Sequence, residues 1–130
     1  MNVTGSAFVI GGLYPKVPAV AHILIDHRIL ASGIGRSCAL AFAKYGVGSL
    51  TLGDINSESA QKVVQECQAI ATNPDFTAQG IHIDVTLEDS VRTAMRHAVS
   101  TFGRIDHCVN SAGVSFAASA WHAIDSFKLT

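Results

Sequence analysis

Phe8-Val9-Ile10-Gly11-Gly12 and, after residues 13–30, Ala31-Ser32-Gly33-Ile34-Gly35-Arg36 decide how this chain is read. Joined, the two pieces spell a short apolar strand, a glycine turn and the opening of a helix. Glycines so placed allow a tight turn and let backbone come close to a phosphate group at a helix N-terminus. As it stands, the turn is interrupted by Leu13 to Leu30, the one compositional anomaly of the chain.

Working outward, apolar periodicity alternates between strand and helix. Ser6 to Ile10 reads as a buried strand ending in the glycine turn. Ile34, Cys38, Ala41, Phe42 and Tyr45 recur at helical spacing, and Gly46 supplies a stop. Ser49 to Gly53 reads as a second strand, closed by Asp54. A helix from about Ser57 carries Ala60, Val63, Val64, Cys67 and Ile70 or Ala71 on one face and ends at Asn73-Pro74-Asp75. Gly80 to Asp84 reads as a third strand, and Thr86-Leu87-Glu88-Asp89 has the form of a capping box before a helix bearing Val91, Ala94, Met95, Ala98, Val99 and Phe102. Gly103 breaks that helix ahead of a fourth strand, Ile105 to Val109. Strands alternating with amphipathic helices imply parallel pairing through crossovers. The expected fold is α/β, an open parallel sheet of Rossmann type with about four strands and three to four helices, in one partial domain over 1–130.

Composition narrows the function classes. With 130 residues, 48% hydrophobic and 15% charged, the chain reads as globular, and a net charge of −1 offers no electrostatic case for nucleic acid. No run is long and apolar enough to suggest a membrane span. The start of the chain lacks the pattern of a secretory signal, so a soluble cytoplasmic protein is the expectation. Cys38, Cys67 and Cys108 follow no metal or disulfide spacing and read as buried reduced thiols, and the scattered histidines form no metal-ligand pattern.

Polar residues with chemistry fall at the carboxyl ends of the strands. Asp54 ends the second strand about 20 residues beyond the glycine turn, where a carboxylate can accept hydrogen bonds from an adenosine ribose diol. The alternative for Asp54 is a turn or capping aspartate ahead of Asn56-Ser57. Asp84-Val85 closes the third strand and Asn110-Ser111-Ala112-Gly113 the fourth. In an open parallel sheet these ends share one edge with the glycine turn.

On Gly11…Gly33-Ile34-Gly35, Asp54, Asp84-Val85 and Gly103-Arg104-Ile105-Asp106…Val109-Asn110-Ser111-Ala112-Gly113, the chain resembles the short-chain dehydrogenase/reductase family from residue 5 to about 125, apart from 13–30. The family's strand-four motif is usually Asn-Asn-Ala-Gly, and Ser111 here replaces its second Asn. The resemblance implies that Gly11, Ser32, Gly33, Ile34 and Gly35 form a pyrophosphate turn. Asp54 would bind the adenosine ribose, and Ile55 would pack on adenine. Asp84 and Val85 would contact adenine, while Asn110, Ala112 and Gly113 would hold the central strand and pass beside the nicotinamide ribose. Asp54 would repel a 2′-phosphate, and Ser32 stands where relatives preferring NADP often carry a basic residue. NAD is therefore favoured over NADP, with Arg36 the residue of the turn that argues the other way. The implied partners are a nicotinamide dinucleotide and a small alcohol or carbonyl substrate.

The family's catalytic Ser, Tyr-x-x-x-Lys pair and supporting Asn follow the strand-four motif. Here the tyrosines are Tyr14 and Tyr45, and neither has a lysine four places on. No catalytic residue is assigned. The family's oligomerisation helices are missing too, and residues 126–130 read as a tail outside the family pattern. Residues 13–30 read as an insert in the phosphate-binding loop, from an altered transcript or gene model in preference to an evolved loop. The leading reading is the cofactor-binding half of an NAD(P)-dependent oxidoreductase, inactive as written. A non-catalytic nucleotide-binding or regulatory fragment is the alternative. A different Rossmann enzyme such as a methyltransferase fits the strand-one and strand-four turns less well.

Overall fold

The computed structural model describes residues 2–11 and 33–112. The expectations for the segment at 13–30, the tail at 126–130, Ser32 and Gly113 lie outside them. Seven elements follow in order: β1 (Ser6–Ile10), α1 (Ile34–Lys44), β2 (Ser49–Asp54), α2 (Ser57–Ile70), β3 (Thr77–His82), α3 (Glu88–Phe102) and β4 (His107–Asn110). The strands form one parallel sheet in the order β3-β2-β1-β4. This is the expected α/β sheet of Rossmann type. Strand order reverses between β1 and β4, and in open α/β sheets ligands bind outside the carboxyl ends at such a point.

β1 is buried along its whole length because it is covered on both faces. Its alternation divides it between two cores. Ala7 and Val9 join Ala39, Val47, Leu50, Leu52, Val63 and Val64 under α1 and α2. Phe8 and Ile10 join Ile83, Ala94 and Ala98 under α3. Leu50, Phe8 and Val47 are fully buried, and each such side chain contributes about 1.5–3 kcal/mol by leaving water.

α2 buries Ala60, Val63, Val64 and Cys67, the face its periodicity predicts, and of its two candidate continuations Ala71 packs against that core whereas Ile70 is exposed. Asn56 caps it, its side chain accepting from the N–H groups of Glu58 and Ser59 at 3.0 and 3.2 Å. α1 departs from expectation. Its buried residues are Gly35, Ala39 and Ala43, whereas Ile34 is 74% exposed and Tyr45 is also at the surface. Small side chains bring the helix close to the sheet, and Cys38 and Phe42 pack half-buried beside that stripe. Hydrophobicity selected the larger residues, while contact at close range selects the smaller ones.

β3 runs from Thr77 to His82 rather than from Gly80 to Asp84. It pairs with β2 from Ser49↔Thr77 to Asp54↔His82. The ladder begins among polar residues because β3 is an outer strand of the described sheet and its first positions are half exposed. Ile83 still donates to the Asp54 carbonyl at 3.0 Å, and the chain then turns. β4 likewise starts at His107, later than Ile105. The capping box does not form, since Leu87 occupies the N-cap position of α3. Thr86 donates instead to Asp84 Oδ1, from its N–H at 3.0 Å and its hydroxyl at 2.6 Å. Of the three thiols only Cys67 is buried. Cys38 is half-buried and Cys108, on the outer strand β4, is exposed.

Candidate functional site

The carboxyl ends of β1, β2 and β4 converge through backbone contacts that the ladder alone does not require. Gly11 N–H donates to the Gly53 carbonyl at 2.9 Å, and Ser111 N–H donates to the Ile10 carbonyl at 2.7 Å. The Ser111 hydroxyl donates to that same Ile10 carbonyl at 2.9 Å. Gly35, in the first turn of α1, packs into the angle between them. A Cβ at Gly35 would stand 2.5 Å from Ser111 Oγ and 3.3 Å from Gly11 Cα. Only a residue without a side chain lets the helix start approach the end of β1 this closely. By helix geometry the first N–H groups of α1 have no acceptor within the helix, so they present donors and a partial positive charge at this edge.

Beside this turn lies a shallow cleft whose lining includes Gly11, Gly35, Arg36, Asp54 and Ser59. Asp54 is half-buried, and its Oδ1 accepts from Asn56 N–H at 2.8 Å. Asn56, not Asp54, is the helix cap, so of the alternative roles for Asp54 the capping one does not hold, whereas the turn one does: its Oδ1 closes the turn onto Asn56 N–H. Burial pushes the Asp54 carboxyl above its ordinary range, against the opposing pull of the Asn56 N–H and of His82. A carboxylate held at the rim of a cleft can accept from two neighbouring hydroxyls. A second anion placed against it is repelled.

Arg36 also lines the cleft, and its guanidinium donates to Glu66 Oε2 across the α1–α2 contact. The two side chains are 35% and 42% exposed. Both charges are felt by the buried Cys67 thiol. Burial pushes it up to about 11, with Glu66 adding to the rise and Arg36 opposing it. Glu66 escaped the sequence reading because its contact spans 30 residues and belongs to no local motif. Its helix position, one residue before the buried Cys67, is the only signal that it borders α1.

The other predicted residues are not gathered into this cleft. Gly33 is the N-cap of α1, and Ile34 points largely into solvent. Ile55 is half-buried just after Asp54. Asp84 sits in its own turn, its N–H donating to Ser90 Oγ at 2.9 Å, and Val85 beside it is 37% exposed. Asn110 pairs with Ile10 in the ladder, and its Oδ1 accepts from Ala112 N–H at 3.1 Å. Ser111, set aside by its departure from the motif, is the side chain that spaces Gly11 and Gly35.

Among the described residues no group of three or more His, Cys, Asp or Glu side chains is placed to hold a metal ion. No described helix is long and apolar enough to cross a membrane.

A family model described as short chain dehydrogenase matches residues 30–128. The short-chain dehydrogenase srdC of Neurospora crassa is 46% identical over 114 residues, covering 88% of this chain and 35% of that protein. The short-chain dehydrogenase fogB of Aspergillus ruber is 42% identical over the same share of each. Among solved structures, a hydroxysteroid dehydrogenase from Escherichia coli superposes with a TM-score of 0.60 at 26% identity, over 82% of this chain and 34% of that one. The chain spans about a third of the length of the curated relatives it matches.

Proposed function

The chain belongs to the short-chain dehydrogenase family, and on that basis we propose that it is the dinucleotide-binding part of an oxidoreductase acting on an alcohol or carbonyl, with NAD preferred to NADP. The observation that carries this reading is the packing of Gly11 against Gly35 beside a cleft that also holds the Asp54 carboxylate. That donor and acceptor set fits a dinucleotide. A backbone cradle with N–H donors suits a pyrophosphate, and a half-buried carboxylate nearby suits a ribose diol.

In this reading Gly11, Gly33 and Gly35 keep the backbone clear for the pyrophosphate, with Ser32 and Ile34 completing the turn. Asp54 accepts from both ribose hydroxyls. Ile55, Asp84 and Val85 border the adenine, and Asn110, Ala112 and Gly113 border the nicotinamide ribose. When bound, the nicotinamide supplies or takes the hydride. Selectivity rests on charge, because a 2′-phosphate brings negative charge towards Asp54 and the arginine that lines the cleft among the described residues, Arg36, is engaged by Glu66.

Proton transfer to or from the substrate oxygen needs a positioned acid or base. The 130 residues hold no Tyr-x-x-x-Lys pair, so the chain by itself is proposed to bind without turning over. A non-catalytic nucleotide-binding role is the reading that the same fact favours second. The segment at 13–30 lengthens the turn that presents the N–H groups, and its removal is expected to raise NAD affinity.

The test is a titration of the chain, with and without residues 13–30, against NAD and NADP, alongside Asp54→Ala. Tighter NAD than NADP binding, with the difference narrowed by Asp54→Ala, supports the assignment. Tighter NADP binding, or no saturable binding of either dinucleotide, overturns it. Alcohol-dependent NADH formation by the 130-residue chain would refute the absence of turnover, and equal NAD affinity with and without 13–30 would refute the role given to that segment.

A further inference from the structure

We propose that Glu66 is a specificity-determining positioning residue, which by holding Arg36 keeps a cation away from the ribose end of the cleft and so disfavours a 2′-phosphorylated dinucleotide. This rests on the cofactor reading above and adds to it a residue outside the cleft's lining.

Arg36 lines the same cleft as Asp54, and where its guanidinium is held decides the charge there. It is found on Glu66, across the contact between α1 and α2. Asp54 is satisfied without it, by the Asn56 N–H. The result is a cleft in which Arg36 is neutralised by Glu66 while the Asp54 carboxylate is not drawn to it. Arginine is suited to phosphate because its planar fork can donate two parallel hydrogen bonds to neighbouring oxygens. An unpaired Arg36 at this position would recognise the extra phosphate of NADP. Pairing with Glu66 places a competing carboxylate on that fork.

Neither partner is deeply buried, so the pair is not needed to fill the core. Exposed ion pairs contribute little to stability, which makes a change at Glu66 readable as a change in selectivity. Within the helix pair, the geometry leaves one requirement: the side chain at 66 must be anionic and long enough to reach Arg36. Asp keeps the charge on a shorter stem, Gln keeps the shape without the charge, and Lys reverses the charge.

The experiment measures the affinity of the 130-residue chain for NAD and for NADP by amide chemical-shift titration, which reads weak as well as tight binding. The variants are Glu66→Gln, Glu66→Lys, Glu66→Asp, Arg36→Ala and the double variant Arg36→Ala/Glu66→Gln. Both Glu66→Gln and Glu66→Lys are expected to raise the ratio of NADP to NAD affinity by on the order of five-fold, the scale of one released charge at a solvated site. Glu66→Asp, whose shorter stem holds Arg36 less closely, should give a ratio between those of the unaltered chain and Glu66→Gln. Adding Arg36→Ala to Glu66→Gln should remove the gain. An unchanged ratio in both Glu66→Gln and Glu66→Lys, with NAD still bound, overturns the inference and leaves the cofactor reading standing. So does an equal loss of affinity for both dinucleotides, or a gain that survives Arg36→Ala. If the unaltered chain binds neither dinucleotide, the cofactor reading and this inference fall together.

Discussion

Replacing Gly35 by alanine tests whether the contact of α1 with the ends of β1 and β4 is as close as described. The added methyl meets Ser111 Oγ at 2.5 Å and Gly11 Cα at 3.3 Å. The hydroxyl can rotate away, but only by giving up its 2.9 Å hydrogen bond to the Ile10 carbonyl, at a cost of about 1 kcal/mol. The backbone of Gly11 yields less readily, and overpacking of this mild kind costs about 1 kcal/mol more. Alanine regains roughly 0.5–1 kcal/mol of helix preference over glycine. The net expectation for Gly35→Ala is therefore a loss of about 1 kcal/mol.

Ser111→Ala removes the obstructing oxygen in advance and leaves the Ser111 N–H still donating to Ile10. In that background Gly35→Ala should cost close to nothing, so the coupling between the two sites is about 1 kcal/mol. Urea unfolding of the four proteins of the cycle reads this directly. Strict additivity would show that Gly35 and Ser111 do not touch. A neutral Gly35→Ala in the native background would show that the turn has room for a side chain, and the close backbone cradle would be refuted with it.

Three further outcomes follow from individual residues. NAD affinity should fall with decreasing pH at values above the ordinary aspartate range, because burial raises the Asp54 carboxyl and its protonated form loses an acceptor site. An Asp54→Asn variant that keeps the same acid limb in a binding titration would assign the limb to another group. Asp106 accepts from Ser6 N–H at 2.8 Å and from Arg104 Nε at 2.8 Å, and the Arg104 bond first, then the Ser6 N–H, holds its carboxyl below the ordinary aspartate value. A depressed folded value means that the contribution is present above the ordinary aspartate value and is lost as pH falls through the folded one. Asp106→Asn should thus lower the urea midpoint at neutral pH and flatten its decline in acid, and an unchanged acid slope would exclude this clamp. Asn56→Ala removes the acceptor for Glu58 and Ser59 N–H and should destabilise the protein by about 1 kcal/mol. Equal stability of Asn56→Ala and the parent in chemical denaturation would argue that α2 is capped by other means.

How far the fold was legible varied with the kind of contact each element makes. α2 was read correctly because one face meets the core and the opposite face meets water, so hydrophobicity and burial coincide at Ala60, Val63, Val64 and Cys67. α1 was misread because its contact is made by Gly35, Ala39 and Ala43, which carry little hydrophobicity of their own. The start of β3 was missed for a related reason. Thr77-Ala78-Gln79 pair along β2, but an outer strand needs no apolar run to do so. The capping box failed because Thr86 found a nearer acceptor in Asp84. In the candidate site, Gly11, Gly35 and Asp54 could be found by spacing, and they line one cleft.

The sequence by itself determined the alternation of strand and helix, the parallel sheet and the strand ends at which polar chemistry collects. Those properties follow from periodicity and from turn residues a few positions apart, which act before distant parts of the chain meet. Tertiary structure decided which face of α1 is buried, that Ser111 spaces the glycine turn, and that Arg36 is held by Glu66 and not by Asp54. Each of these is a choice among partners far apart in sequence. It is settled by which atoms can approach when α1 is laid against β1 and α2, and no local pattern records that distance.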